Sequence, residues 1–345
     1  MTDPALDFIC NALSESSGQR LLVADEHLDS SLLLSLKTLP DLSLLTNRYD
    51  VYRSAQDNNI PCIFNDMDIS ACNTRFDVIA YRVSKEKAVV HHIINQAPAS
   101  LNAKGSLLLC GFKNEGIKTY ISKVEQYLGC KALVSKGERQ LKLAQFRVTE
   151  LGEPLDDREY RQLTCIGEQR NLALFSKPGQ YGWNKIDKGS ELLVNAFADH
   201  VNIAGAPATL LDLGCGYGYL SVMAWALGAG QIMATDNNAA AIASCRHNFE
   251  IHGIQGEVSA DDCACDLHHQ YDVVLCNPPF HKGFDTEPDL TEKFLRSARH
   301  HLKNNGVAFV VVNQFIPVEA IAPSYFKSVE TVYRDKSFKV FKLSS

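Results

Sequence analysis

Short apolar runs alternate with helical stretches through the second half of the chain, and this alternation limits the fold more than any other feature. Thr209–Leu213, Gln231–Asp236, Tyr271–Cys276 and Gly306–Val312 read as strands. Between them, Leu220–Leu227, Ala239–His252 and Leu290–Leu302 carry helical character. Strands that alternate with helices build βαβ units and a parallel sheet. The closing stretches 328–333 and 337–343 read as an antiparallel hairpin at the edge of that sheet.

The first half repeats the plan. Arg20–Asp25 resembles a first strand, and Phe76–Tyr81 matches Tyr271–Cys276. A helical stretch follows each, then a glycine and an apolar strand: Gly105–Cys110 in one half, Gly306–Val311 in the other. The expectation is an α/β chain of two tandem Rossmann-like domains, 1–155 and 156–345, each a parallel sheet with a C-terminal antiparallel hairpin. Segment 151–160, polar and containing Gly152 and Pro154, is the expected linker.

Bulk composition excludes several classes. The 345 residues are 46% hydrophobic and 21% charged, as in an ordinary soluble protein. No basic start with an apolar core marks a signal peptide, and no run suits a membrane-spanning helix. A cytoplasmic protein without membrane partners is therefore expected. The eleven scattered cysteines suit a reducing compartment, and only Cys263 and Cys265 lie close together. No metal is expected. Residues 1–150 carry 17 basic and 17 acidic side chains; residues 151–345 carry 17 and 23, so the whole net charge of −6 falls in the second half. That balance gives no global basic footprint. Basic residues do gather at Lys131, Lys136, Arg139, Lys142 and Arg147, and at Arg334, Lys336, Lys339 and Lys342.

Two motifs carry chemistry. Asp212-Leu213-Gly214-Cys215-Gly216-Tyr217-Gly218 lies between a strand and a helix. Its glycines let backbone approach a ligand closely. The dinucleotide fingerprint would need a glycine where Tyr219 or Ser221 stands. An acid ahead of the glycines, Asp212, favours a cationic sulfonium or amine over a pyrophosphate. Asp236 ends the next strand, 20 residues past Gly216 (236 − 216), where an acid can accept both ribose hydroxyls. Asp261 and Asp262 follow, and Asp262 is the favoured partner for an adenine amine. The second motif is Asn277-Pro278-Pro279-Phe280, directly after a buried strand. Proline fixes φ and has no N–H. A rigid amide, an outward carbonyl and an aromatic ring can together hold a planar amine. At the corresponding places, the first half has Arg82-Val83-Ser84-Lys85 and Glu26-His27-Leu28-Asp29.

In this order and spacing, the set resembles the class I S-adenosylmethionine-dependent methyltransferases of the Asn-Pro-Pro-aromatic group, which modify amino nitrogens of adenine, guanine or glutamine. Phe280, His281, the extra domain and the loop Pro178–Ser190 narrow the resemblance. They are similar to bacterial ribosomal RNA guanine-N2 methyltransferases whose N-terminal methyltransferase-like domain is degenerate, in particular the small-subunit branch. The likeness is strong over 172–345 and loose over 1–150. The loop departs from the family at Tyr181-Gly182, Trp183 and Lys185, and keeps Asp187, Gly189 and Ser190.

The resemblance implies a catalytic set of Asn277, Pro278 and Phe280. It implies S-adenosylmethionine bound by Asp212, Gly214, Gly216, Asp236, Asp262 and Asn277. Substrate contacts would come from Phe280, His281 and Asp187. A flipped guanine would stack on Phe280 while Asn277 and Pro278 accept from its N2 amine. The implied partner is 16S rRNA, in the 30S subunit or an assembly intermediate, met by a monomer. Residues 1–155 would fold as a non-catalytic partner or dock RNA. Cys276, without a nearby basic residue, is not expected to act as a nucleophile. Alternatives are a large-subunit guanine-N2 enzyme, a glutamine-N5 or adenine-N6 methyltransferase, an inactive binding protein, or a dehydrogenase.

Overall fold

The computed structural model describes residues 3–279 and 288–345. The chain divides into two units, Met1–Gln162 and Leu163–Ser345.

The first unit holds β1 (Arg20–Ala24), β2 (Leu42–Thr46), β3 (Cys62–Phe64), β4 (Phe76–Arg82), β5 (Leu101–Gly111), β6 (Leu133–Lys136) and β7 (Lys142–Arg147). They form one sheet in the order β3-β2-β1-β4-β5-β7-β6. β1 to β5 run parallel, and β7 turns back antiparallel to β5 and β6. Every residue of β1 is buried. Side chains alternate across a strand, so Leu21 and Val23 pack with helices Lys87–Ser100 and Ile117–Leu128. Leu22 and Ala24 pack with helices Pro4–Glu15 and Ser30–Leu36. Covering both faces is what a parallel sheet requires.

The second unit opens with the hairpin β8 (Thr164–Gln169) and β9 (Leu172–Ser176). Its main sheet comprises β10 (Thr209–Leu213), β11 (Gln231–Asp236), β12 (Gly256–Ala260), β13 (Tyr271–Cys276), β14 (Leu302–Asn313), β15 (Ser328–Arg334) and β16 (Phe338–Ser344). Their order is β12-β11-β10-β13-β14-β16-β15. Strand for strand, this is the order of the first sheet. Phe309 and Val311 face helices Lys188–Ala204, Tyr219–Ala226 and Ala239–His252. Ala308, Val310 and Val312 face helix Pro288–His300.

The repetition extends to single side chains. Asp77 accepts a backbone N–H from Gln19 just before β1 and a side-chain bond from Asn102. Asp272 likewise accepts from Thr209 N at the start of β10 and from Lys303 Nζ. A Cβ on Gly105 would fall 2.9 Å from the Phe76 carbonyl, and one on Gly306 would fall 3.1 Å from that of Asp272. In each unit a side chain at that glycine would crowd the backbone of the neighbouring strand.

Three boundaries differ from the sequence expectation. The helix of 290–302 ends at His300, and Leu302 already pairs with Tyr271 in the sheet. Segment 151–160 is not a loose linker. The Asn95 amide holds Leu155 through both its N–H and its carbonyl, and His91 Nδ1 lies 2.7 Å from the Asp156 carbonyl. Tyr160 is buried and donates to Asp66 at 2.5 Å. Apolar Leu155 and Tyr160 tie an otherwise polar stretch to the first unit, so the division falls after Gln162 rather than at 155.

Candidate active site

The sequence-singled residues of the second unit gather at the C-terminal ends of β10 to β13. Chain order departs from β10 toward β11 on one side, while β13 lies on the other. Such a switch point leaves a crevice between diverging connections, and open α/β sheets bind ligands there.

The turn after β10 is held in a left-handed path, with φ of +78° at Gly214 and +86° at Gly218. A Cβ on Gly218 would also lie 2.6 Å from Cys245 Sγ. The amides of Gly214 and Cys215 both donate to the Thr235 carbonyl at 2.9 Å. Asp236 receives the Gly216 N–H on Oδ2 at 2.9 Å and the Asn238 N–H on Oδ1 at 2.8 Å. Asn248 fixes the far side of the turn, donating to the Tyr217 carbonyl at 2.7 Å. Periodicity gave no sign of Asn248, a polar residue on a helix whose partners lie 31 and 73 positions away.

Asp212 is fully buried. Its Oδ2 accepts from Ser221 N at 3.0 Å and Ser221 Oγ at 2.6 Å, which ties β10 to the following helix. Its Oδ1 has no hydrogen-bond partner among the described residues. Burial pushes this carboxyl up to about 7, against the lowering effect of the Ser221 bonds. Gln180 shows a similar imbalance. Its Nε2 donates to Ser244 Oγ at 2.8 Å and Ala240 O at 3.3 Å, while its buried Oε1 has no partner among the described residues. Gln180 Oε1 is the nearest atom, at 3.9 Å, to a Cβ placed on Gly216.

Asn277 sits at the end of β13 with its side-chain nitrogen doubly engaged. Nδ2 donates to Asp187 Oδ1 and to Ser190 Oγ, both at 2.8 Å. Asp187 caps helix Lys188–Ala204, its Oδ1 also accepting the Ser190 N–H at 2.9 Å. A carboxylate only accepts, so the amide can be placed one way round. Asn277 Oδ1 therefore faces away from this pair and accepts no bond from the described residues. Proline at 278 adds no competing N–H. A 90-residue separation in sequence closes to one hydrogen bond. Asp187, expected to touch substrate, is placed against Asn277, and Ser190 joins it.

At the equivalent strand end of the first unit, Arg82 is buried and points its guanidinium at Asp3 Oδ2 (3.0 Å) and Glu115 Oε1 (2.7 Å). After β1, His27 Nδ1 lies 2.7 Å from Asp25 Oδ1. Burial alone would lower the His27 pKa, but the Asp25 charge outweighs it and raises the imidazole to about 9. Ion pairs fill the region where the second unit has its glycine turn and its Asn-Pro-Pro.

Of the remaining expected residues, Asp262 forms an ion pair with Lys293 at 2.5 Å. Asp261 is buried; it accepts from Cys265 Sγ at 3.3 Å and Asp266 N at 3.1 Å, and its own N–H donates to the Asp236 carbonyl. Phe280 and His281 lie outside the described residues. Burial raises the Cys276 thiol well above its usual range, leaving no thiolate to attack a ring carbon.

The donor set fits S-adenosylmethionine. Asp212 Oδ1, Gln180 Oε1 and the Asp236 carboxylate are all acceptors, which suits an ammonium, a sulfonium and a ribose diol. Gly216 leaves backbone open on the same side. A pyrophosphate would meet carboxylates here.

Residues 171–342 match the methyltransferase small domain family. Ribosomal RNA small subunit methyltransferase C of Aeromonas hydrophila is 30% identical over 94% of this chain and 93% of its own length. The protein of the same name from Vibrio parahaemolyticus is 27% identical, again over 94% and 93%. The T. thermophilus 16S rRNA N2 G1207 methyltransferase, solved in complex with AdoMet and guanosine, superposes with a TM-score of 0.83. That match covers 99% of this chain and 92% of the other at 21% identity, and it shows a shared fold. The chain belongs to the ribosomal RNA small subunit methyltransferase C family.

Proposed function

From that membership, we propose that the chain methylates the exocyclic N2 amine of a guanine in small-subunit rRNA, at the nucleotide equivalent to G1207 in the T. thermophilus enzyme. One observation carries the reading: Asp187 and Ser190 occupy the nitrogen of Asn277, and among the described residues nothing donates to its oxygen, which can accept from an incoming N–H.

S-adenosylmethionine supplies an electrophilic methyl group on its sulfonium. Asp236 accepts from its ribose hydroxyls, and the glycine turn admits its amino-acid end over bare backbone. Asp212 and Gln180 each bring to that turn an oxygen with no partner among the described residues. The substrate guanine leaves its stack to reach the strand ends. Asn277 Oδ1 and the Pro278 carbonyl accept its two N2 protons, which turns the nitrogen lone pair toward the methyl. The N–C bond forms as the C–S bond breaks, and the methylated nitrogen, now acidic, loses its proton to water. Positioning supplies most of the rate, so no strong base is required. Asp187 acts as a positioning residue, Phe280 as the stacking ring and His281 as a substrate contact.

The first unit is the non-catalytic partner, because Arg82 and the Asp25–His27 pair take the ligand's place there. We assign the enzyme to the cytoplasm, acting as a monomer on the 30S subunit or an assembly intermediate. No described helix is long and apolar enough to cross a membrane.

The test is nucleoside mass spectrometry of 16S rRNA after incubation with wild-type or Asn277→Ala protein. Wild type should yield N2-methylguanosine. The variant should lose it while retaining cofactor affinity in a calorimetric titration. Full activity in the variant, or a different methylated nucleoside from wild type, overturns the proposal. Asp236→Ala should instead weaken cofactor binding.

A further inference from the structure

Two aromatic rings stand in solvent on the rim that carries Asn277. Tyr181 is 84% exposed and Phe315 67%. An isolated exposed ring needs no explanation, but here the neighbours of each ring are held firmly while the ring is left out.

Tyr181 lies in the loop that leads to Asp187. On one side of it, the Gly179 carbonyl accepts from Asn238 Nδ2 at 2.8 Å and the Gln180 amide is clamped to Ser244. On the other, the Lys185 carbonyl accepts from Tyr217 Oη at 3.4 Å, and Asp187 binds Asn277. Gly182, at φ +65°, turns the backbone directly after the ring. Phe315 is the second residue beyond β14, the strand that pairs with β13. Gln314 N donates to the Ser337 carbonyl at 2.8 Å, and Ile316 N to the Asn313 carbonyl at 3.0 Å. Ile316 is itself packed into the core. Both rings are thus presented by pinned backbone.

Their placement brackets the acceptor site. The loop carrying Tyr181 is anchored on residues that follow β11, while Phe315 follows β14. In the sheet order β11-β10-β13-β14, Asn277 after β13 lies between them. Extruding a base leaves its two flanking nucleotides with an unstacked face each. Aromatic side chains replace such lost stacking without reading sequence, because every base has a π-face.

We propose that Tyr181 and Phe315 stack on the nucleotides flanking the target guanine, so that the enzyme takes its substrate as a locally single-stranded RNA segment. This rests on the rRNA reading above. The rings act in RNA binding rather than in the methyl transfer itself.

The experiment measures KM and kcat on in vitro 16S transcript and on 30S subunits lacking the modification, with cofactor-product affinity by calorimetry. Tyr181→Ala and Phe315→Ala should each raise KM about 10-fold, within the range of one lost base–aromatic stack. The double variant should raise it further, and S-adenosylhomocysteine affinity should stay at the wild-type value. Tyr181→Phe should restore the wild-type KM and Tyr181→Leu should not, since stacking needs a ring rather than bulk. An unchanged KM in the double variant overturns the proposal. So does a parallel fall in S-adenosylhomocysteine affinity, or full rescue by leucine. A wild-type protein that methylates no rRNA, or methylates a ribosomal protein instead, would refute the underlying rRNA reading; an active wild type with variants equal to it refutes only the stacking.

Discussion

Replacing Asp187 by serine separates two jobs that one carboxylate performs. Asp187 Oδ1 caps helix Lys188–Ala204 through the Ser190 N–H and also holds Asn277 Nδ2 at 2.8 Å. Serine is as good an N-cap as aspartate, so the helix should keep its stability to within about 0.5 kcal/mol. Its shorter side chain ends at Oγ and cannot span to Asn277. The amide then loses a hydrogen bond to a charged group, an interaction of about 1.5–3 kcal/mol. Ser190 Oγ alone would remain, and a hydroxyl can donate or accept, so the orientation of the amide is no longer fixed. If half the population presents Nδ2 instead of Oδ1, only a twofold loss results. If the amide also moves by about 1 Å, the loss reaches about 100-fold, equivalent to about 2.7 kcal/mol of activation energy. The expected result is a kcat lower by about 10- to 100-fold, with KM for RNA and affinity for S-adenosylhomocysteine near wild type. Ser190→Ala should give a smaller loss, and the double variant should be non-additive because both residues hold one amide. Single-turnover methylation with tritiated cofactor measures the chemical step directly. A folded Asp187→Ser protein with kcat within twofold of wild type would refute the reasoning.

Three further outcomes follow from buried charge. Asp212 titrates near 7 when folded and near 3.9 when unfolded. The unfolded chain therefore sheds this proton first, and stability should fall by up to about 4 kcal/mol as pH rises from about 4 to about 7, then level off. Asp212→Asn should flatten that slope in urea denaturation of the second unit; an unchanged slope would place the titration elsewhere. For His27 the sign is reversed. Its folded pKa of about 9 exceeds the unfolded 6.5, so its contribution is complete below about pH 6.5 and lost as pH rises through 9. His27→Gln should destabilise the first unit by up to about 3 kcal/mol at pH 6 and by nearly nothing at pH 10, read from the urea midpoint at each pH. Arg82→Met should cost about 3–5 kcal/mol, because the carboxylates of Asp3 and Glu115 lose the guanidinium that both contact. A midpoint shift below about 1 kcal/mol would mean that water replaces the guanidinium.

Much of the fold was readable from local pattern. The matched runs Phe76–Tyr81 and Tyr271–Cys276 became β4 and β13, and Gly105 and Gly306 occupy the same crowded place in sheets of identical strand order. A strand between two helical layers must be apolar throughout, and a glycine must stand where backbone closes in; both leave a mark at their own position. Segment 151–160 misled for the same reason. Gly152 and Pro154 signal a turn, but nothing local shows that Asn95 will capture Leu155.

The sequence alone determined the parallel plan, the left-handed turn at Gly214–Gly218 and the stiff Asn-Pro-Pro at a strand end, since each follows from φ/ψ limits and hydrophobic period within a few residues. Only the tertiary structure decided what the polar atoms do. Asp212 is buried, with one oxygen tied to Ser221 and the other without a partner among the described residues, a division that no local pattern shows. Asp187 looked like a substrate contact and lies against Asn277. Arg82 fills the place where the first unit could have held an amine. A hydrogen bond between residues 33, 79 or 90 apart has no periodicity and no preferred spacing. It exists because packing brings a strand end, Arg82 or Asn277, within hydrogen-bonding reach of a helix cap or short turn, at Asp3, Glu115 or Asp187, and buried polar groups must find partners there.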